Sequence, residues 1–395
     1  MCNIAELAFT NPFTKISDGG KKDIESRIKA LLLKNYNVDI YTLNKRNEIL
    51  NEFNNDRCRL IYDVRKTQFK DLFSIYPISV VNKYSINIEN QLIKNSNKYD
   101  VIIYEGEHMV KYRYNNKIKG KLNYIRMHDI ESDYRYELYK SLFPDIKSYL
   151  QLIESLKYKY IEKNITKYFD RFLFISKLEK EKFENIFPDQ KQKFIWMPPV
   201  VESKSNFNNN ANINENNILY FGDLTIHYNL EGVKWFLYNV LPIIKRNVKN
   251  LKVNIVGRIN KYDKELLEKI DNDINIFGYV DKLDDYISNS KLIIIPILHG
   301  AGVKIKLIEA LSNGKIVIAT NKAVEGTDFI NNKHLLIRDN PEQFANACIE
   351  AIRYYDKYKV LGENALEHVK NKYSLKYQSD LLEDLIKNDL KALKV

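Results

Sequence analysis

Cysteine, histidine and long apolar runs are scarce in this chain, and each shortage removes a class of function. Three cysteines in 395 residues, Cys2, Cys58 and Cys348, are too few and too scattered for a disulfide framework or a zinc site. They point to a reducing, cytoplasmic setting. Six histidines show no metal-ligand spacing. The acidic triplet Asp271-Asn272-Asp273 lies in a polar connector before a strand, so no metal site and no cofactor are expected. No apolar run approaches the roughly 20 residues that cross a bilayer, and the first residues do not read as a signal peptide. A nicotinamide dehydrogenase would need a Gly-x-Gly-x-x-Gly turn opening a helix. None stands near the amino terminus, and Ile305 occupies the third position after Gly300 and Gly302.

What is present is the balance of a folded protein. Hydrophobic residues make up 45% and charged residues 29%, and 395 residues suit two domains better than one core. The net charge of +11 is unevenly placed: residues 1–200 hold 35 Lys and Arg against 26 Asp and Glu, a net of +9, and the remainder holds 27 against 25. A basic half suits an anionic neighbour, and peripheral contact with a membrane surface is favoured. Nucleic acid is not expected, because the 28 tyrosines are dispersed through helical patterns rather than arranged as stacking platforms.

Strand-like and helix-like segments alternate throughout. In the first half, residues 3–9, 38–43, 100–104, 122–127 and 171–175 read as strands. Residues 22–35 have helical spacing, with Ile24, Ile28, Leu31 and Leu32 on one face, and 147–168 is a long helical pattern. Asp18-Gly19-Gly20 reads as a turn. The polar tract 201–217 cannot pack a core and reads as a linker. Strands at 218–221, 251–256, 275–277, 292–296, 316–319 and 335–337 then alternate with helices, notably 230–247, 304–312 and 341–355. A charged amphipathic helix, about 375–395, ends the chain and is placed to pack back on the first domain. The expected fold is α/β, with two doubly wound Rossmann-like domains, 1–200 and 218–374, facing across a cleft where strand carboxyl ends meet.

The most informative stretch runs from His299 through Gly300, Ala301, Gly302, Val303 and Lys304 into a helix carrying Lys306 and Glu309. A strand feeds a glycine-bearing loop, and the loop opens a helix whose first N–H groups and dipole suit a phosphate. Lys304 and Lys306 add positive charge there. Helical side chains lean toward the amino end, so Glu309 is placed to accept hydrogen bonds from ribose hydroxyls. The alternative is an ordinary strand–turn–helix with solvated lysines and a surface Lys306–Glu309 pair.

Further spaced matches carry a family resemblance. They include Tyr220-Phe221-Gly222, Asn229 to Phe236, Val256-Gly257-Arg258, Phe277-Gly278-Tyr279-Val280-Asp281, Pro296, Glu309-Ala310-Leu311, Gly314, Ala319-Thr320 and Ala323-Val324-Glu325-Gly326. From about residue 218 to 373 the chain resembles the nucleotide-sugar-binding domain of glycosyltransferase family 4, which has the GT-B fold. The first half is similar, more loosely, to members that build bacterial surface polysaccharides, through Gly19-Gly20, Tyr104-Glu105-Gly106 and Arg126-Met127-His128-Asp129-Ile130-Glu131.

The resemblance implies a retaining, metal-independent glycosyltransferase in surface glycan assembly. Its donor would be a nucleoside diphosphate sugar, UDP favoured and GDP possible, and its acceptor a glycan, a lipid-linked oligosaccharide or a protein. Residues 300–303 would meet the diphosphate with Lys304 and Lys306, and Glu309 matches the glutamate that binds the ribose. Gly19 and Gly20 would let the first loop approach the donor phosphates or the acceptor. His128 matches the histidine that points to the reacting centre, and Arg258 and Lys306 would neutralise the leaving diphosphate. Glu105, Glu107, His108, Arg126 and Glu131 are expected on the acceptor side. Two departures stand out: Ala301 replaces the first of the family's paired glutamates, and Gly222-Asp223-Leu224 stands where Gly-Arg is common. A non-catalytic partner of another transferase is therefore the alternative reading.

Overall fold

Runs such as Leu292-Ile293-Ile294-Ile295 leave no polar face, and a strand of that kind is stable only with both faces covered. Each such run lies inside a parallel sheet. A computed structural model of the protein describes residues 2–13, 19–44, 55–64, 74–201 and 216–394. The chain divides into two compact units, Met1–Val200 with Leu375–Val395, and Val201–Ser374. Most of the tract expected as a linker, and Asp18, lie outside the described residues.

The first unit holds strands β1 (Asn3–Ala8), β2 (Asn37–Asn44), β3 (Cys58–Val64), β4 (Val101–Glu105), β5 (Leu122–Met127), β6 (Arg171–Phe174) and β7 (Phe194–Trp196). They form a seven-stranded parallel sheet in the order β3-β2-β1-β4-β5-β6-β7. The second unit holds β8 (Asn216–Phe221), β9 (Leu251–Val256), β10 (Ile274–Gly278), β11 (Leu292–Ile295), β12 (Ile316–Ala319) and β13 (Leu336–Ile337), ordered β10-β9-β8-β11-β12-β13. In each sheet the winding reverses beside the first strand, between β1 and β4 and between β8 and β11. The carboxyl ends of those strands are where doubly wound sheets bind ligands.

Helix α1 (Gly19–Leu33) buries Ile24, Ile28, Leu31 and Leu32, the face that the spacing predicts. It begins three residues earlier than expected, so Gly19 and Gly20 open a helix rather than form a turn. Helices α2 (Glu131–Leu142) and α3 (Ile146–Ile165) make a hairpin in the same unit. In the second unit α4 (His227–Trp235) runs through a π-helical turn, Phe236–Val240, into Leu241–Asn247, so the pattern at 230–247 is one continuous helical run. Helix α5 (Ile305–Leu311) follows β11, and α6 (Pro341–Arg353) starts with proline in its first turn. The Asn340 side chain caps α6 by accepting from the N–H groups of Glu342 and Gln343.

Helix α7 (Tyr355–Lys372) completes the second unit, and α8 (Leu375–Ala392) belongs to the first. Leu382 and Ile386 of α8 enter the core that holds Ile24 and Ile28. Asp389 accepts from Tyr124 Oη and from Arg171 Nε, each at 2.7 Å. Lys34 of the segment after α1 pairs with Asp380 and Glu383 at 2.5 and 2.8 Å. Among the described residues no helix is long and apolar enough to cross a membrane.

Candidate functional site

The carboxyl end of β8 meets that of β9 with almost no space between them. A Cβ on Gly257 would lie 1.8 Å from the carbonyl oxygen of Gly222, so only glycine fits there. Gly257 has φ +143, and its N–H donates to Gly278 O at 2.7 Å. Backbone thus closes on backbone at the ends of β8 and β9. In the loop after β11, residues 299–304, Gly300 and Gly302 have φ +104 and +72, conformations that L side chains rarely adopt. Ala301 and Val303 between them are half-buried.

The two lysines of this loop and helix separate in role. Lys304 is buried, and its ammonium donates to the carbonyls of Ala301 and Gly302 at 2.5 and 2.7 Å, and to that of Gly300 at 3.4 Å. It ties the loop's carbonyls together from inside. Its expected place as a charge partner for a diphosphate is thus filled here by the loop's own carbonyls. Lys306, two residues on, donates to Asn229 Oδ1 at 2.6 Å and to Tyr220 Oη at 3.0 Å. Burial, with the Lys304 charge beside it, pushes its pKa down to about 7. Its ammonium would stand 3.5 Å from a Cβ on Gly222, which places it at the carboxyl end of β8.

Glu309, the fifth residue of α5, is half-buried and shares the helix face of Lys306, three residues away. Arg258 stands at the end of β9, mostly exposed, in an ion pair with Asp223 at 2.5 Å. Lys306, Arg258 and Glu309 thus all belong to the carboxyl edge of the second sheet. Asp271 and Asp273 lie elsewhere, both held by Lys245 at 2.6 and 2.5 Å.

The first unit builds a different kind of site. His128 follows β5, and its Nε2 lies 2.7 Å from Glu105 Oε2 at the end of β4. Glu105 is wholly buried and pairs with Arg27 of α1. Arg27 also binds Glu6 at 2.9 Å and Asp23 at 3.0 Å, and Arg126 grips Asp23 through Nε and Nη2 at 3.0 and 2.7 Å. Burial raises the Glu105 pKa, but Arg27 outweighs it and the carboxyl is held down at about 2. Asp23 lies below the carboxylate range, because Arg126 and Arg27 overcome the cost of its burial. Burial, opposed by Arg27 and helped by the neighbouring Glu105, raises the Glu6 pKa well above its usual value. The carboxyl groups of Glu6, Asp23 and Glu105 and the guanidinium groups of Arg27 and Arg126 thus form one network beneath a partly exposed imidazole.

With Glu105 ionised, His128 donates from Nε2 and presents Nδ1 as its other nitrogen. Asp23, Glu105 and His128 each offer an atom within 4.8 Å of the others, the spacing of a cation site. Arg27 and Arg126 already neutralise both carboxylates, a setting that repels a further cation.

Arg126 is a correction to the acceptor-side expectation. Fully buried, it donates to Met197 O at 2.5 Å besides holding Asp23, and it offers nothing to a ligand at the surface. Glu105 is likewise internal, as the partner of His128. Glu107 is buried too, and burial together with Glu162 and Glu131 raises its pKa well above the usual value. His108 does reach partial exposure. Its Nδ1 meets Tyr158 Oη at 2.7 Å and its Nε2 meets Glu131 Oε1 at 3.2 Å. Phe9, just past β1, packs edge-on to both His108 and His128, with ring centroids 5.6 and 5.2 Å apart. Gly19 and Gly20 stand at the start of the helix that carries Asp23 and Arg27.

Sequence reasoning missed Glu6, Asp23, Arg27, Tyr220 and Asn229. A signal existed for two of them. Glu6 interrupts the apolar run of β1, and Arg27 falls on the apolar face of α1 between Ile24 and Ile28. A charge in such a place implies a buried partner.

Residues 215–353 match the family described as glycosyl transferases group 1. An uncharacterized 44.6 kDa protein in the cps region of Klebsiella pneumoniae is 28% identical over 377 residues, covering 91% of this chain and 93% of that one. Among solved structures, sucrose-phosphate synthase from Thermosynechococcus elongatus superposes with a TM-score of 0.71 at 15% identity, over 99% of this chain and all of the other. TarM of S. aureus, solved as a mutant with fondaparinux, alpha-GlcNAc-glycerol and UDP, gives 0.66 at 13% identity, over 98% and 100%. The second unit thus holds the stretch that matches a group 1 glycosyl transferase domain, and the chain as a whole has the two-unit, Rossmann-like GT-B fold.

Proposed function

We propose that the chain is a retaining glycosyltransferase. It would move a sugar from a nucleoside diphosphate sugar, UDP favoured, to the hydroxyl of a glycan, lipid-linked or protein acceptor during surface glycan assembly at the cytoplasmic face of a membrane. The observation that carries this reading is the Lys306 ammonium, held by Tyr220 and Asn229 beside Gly222 at the carboxyl end of β8. The N–H groups of residues 300–303 and Lys306 would be the donors to a diphosphate there. The TarM structure with bound UDP and the relative from a cps region support the donor class and the setting.

The chemistry follows from charge. As the bond from the anomeric carbon to the diphosphate breaks, negative charge grows on the leaving oxygen, and Lys306 and Arg258 stabilise it without a metal. The acceptor hydroxyl attacks from the face the diphosphate leaves, which retains configuration, and its proton passes to the leaving phosphate. Glu309 holds the ribose. His128, its ring fixed by Glu105, faces the donor sugar and the incoming hydroxyl.

Thermal-shift and calorimetric titration with UDP, GDP and their sugars tests the reading. UDP should bind the parent chain, and Glu309→Ala should weaken it by roughly tenfold or more, the worth of one or two charge-assisted hydrogen bonds. Equal binding by Glu309→Ala and parent removes the donor site from α5. A parent that binds UDP yet transfers sugar to no acceptor supports the non-catalytic partner instead.

A further inference from the structure

Helix α3 sends Tyr158, Ile161 and Ile165 into the core, yet carries six further apolar side chains on the face away from it. The buried face is largely polar, with Ser148, Glu154, Ser155, Tyr158 and Glu162 among its residues. The outer face presents Ile146, Tyr149, Leu150, Ile153, Leu156 and Tyr160, all exposed, Ile146 by 81% and Tyr160 by 74%. At about 100° per residue these six fall within an arc of about 120°, a continuous stripe along the helix. The stripe continues over the hairpin tip, where Leu142 and Phe143 are also exposed. There the Phe143 ring packs against Tyr139 and Tyr149, centroids 5.9 and 6.4 Å away.

Charge on this helix is sorted as sharply. Its two acids, Glu154 and Glu162, are both buried, while Lys147, Lys159 and Lys163 are exposed and Lys157 half-exposed. The exposed charges along the helix are all lysines, with Asp145 at its N-cap the exposed acid of the tip, and so basic a stripe does not suit a second copy of itself, since like charges would face each other. It suits a sheet of negative headgroups over hydrocarbon. Tyr149 and Tyr160 fit the boundary, their rings apolar and their hydroxyls wet.

We propose that α3 and the tip at residues 142–146 form a docking surface for an anionic lipid bilayer. The helix, about 30 Å long, lies in the headgroup plane with its stripe in the acyl boundary and its lysines on lipid phosphates. The chain is thereby held on one leaflet without spanning it. This surface is independent of the donor site, so failure of either leaves the other standing.

Vesicle sedimentation of the full chain is the test, with phosphatidylglycerol–phosphatidylcholine vesicles against phosphatidylcholine alone. The parent should bind the anionic vesicles strongly and the neutral ones weakly. Replacing Lys147, Lys159 and Lys163 by Ser should weaken anionic binding about a hundredfold, from about fivefold per lysine. Leu150→Ser with Ile153→Ser should weaken it at least tenfold, with unchanged helical circular dichroism because these side chains touch solvent. Leu150→Trp should shift its emission to the blue on anionic vesicles only. Parent-like binding by either multiple variant overturns the proposal. So does a parent that ignores vesicles but forms a dimer dissolved by the Leu150→Ser, Ile153→Ser change, which assigns the stripe to self-association.

Discussion

Lys306 is the residue whose state depends most on what binds beside it. Its pKa near 7 means that at pH 8 most of the population carries no charge there. A bound diphosphate restores the charge by raising that pKa, so above neutral pH donor binding must take up a proton. Affinity for UDP should therefore fall as pH rises from about 7 toward 9. Lys306→Arg, charged throughout, should flatten the profile. Calorimetry in buffers of different ionisation enthalpy reads the proton directly, and no uptake at pH 8 in the parent would refute the assignment. The same depression works against the free fold: the unfolded chain holds a proton between pH 7 and 10.5 that the folded chain has released, so this site's contribution to stability grows with rising pH across that window.

Glu105 acts at the same scale but through another residue. Glu105→Gln keeps its size and burial while removing the carboxylate that receives His128 Nε2–H. Transfer should slow by about a hundredfold, the order expected when a reacting group is misplaced by about 1 Å. UDP binding in the second unit should stay at the parent value. Loss of UDP binding along with turnover would mean that the change had acted through folding rather than through the imidazole.

At the scale of elements, what was legible depended on how a segment is buried. Central strands β11 and β12 are unbroken apolar runs, β4 and β5 are mostly apolar, and the positions of all four follow from the sequence to within a residue or so. Edge strand β3 is not such a run: Arg59, Tyr62 and Asp63 alternate with apolar residues, and much of it stays exposed. The short edge strand β7 was equally hidden. The loop proposed to hold the donor was legible because its chemistry is local, all within residues 299–309. The network under His128 was not, because Glu6, Asp23 and Arg27 meet Glu105 and Arg126 only after about 80 to 100 residues of chain have been folded back. Lys304 and Lys306 look alike in the sequence. Only the backbone path separates the one that ties the loop from the one that faces the edge.

The tight junction of β8 and β9 gives a prediction at this scale. Gly257→Ala places a methyl 1.8 Å from Gly222 O, a backbone atom that cannot rotate away, at a φ that already disfavours alanine. The two strand ends must part. A loss of at least about 2 kcal/mol, or roughly 4–8 °C in melting temperature, is expected. At Gly300 the nearest obstacle is the Tyr228 ring at 3.2 Å, a side chain that can shift. Gly300→Ala should therefore melt closer to the parent than Gly257→Ala, and the reverse order in calorimetry would contradict the packing argument.

For the whole molecule, the last helix makes the first unit depend on both ends of the chain. Without α8, the core around Ile24 and Ile28 loses Leu382 and Ile386, and Tyr124 and Arg171 lose Asp389. The two units offer a way to see which one pays attention to this helix, because each holds one tryptophan. Trp196 lies in β7 and donates to Ile175 O at 3.1 Å, whereas Trp235 ends α4, its ring edge-on to Phe344. Asp389→Ala leaves a buried phenol and a guanidinium without their acceptor, a change worth roughly 2–3 kcal/mol. In a Trp235→Phe background, urea unfolding followed by Trp196 should move to lower concentration. In a Trp196→Phe background, the curve from Trp235 should stay where it was, since α8 belongs to the first unit and the described residues of the second unit's core include none from it. Coincident shifts of both tryptophans would instead make the chain one cooperative unit, with α8 stabilising the second unit as much as its own.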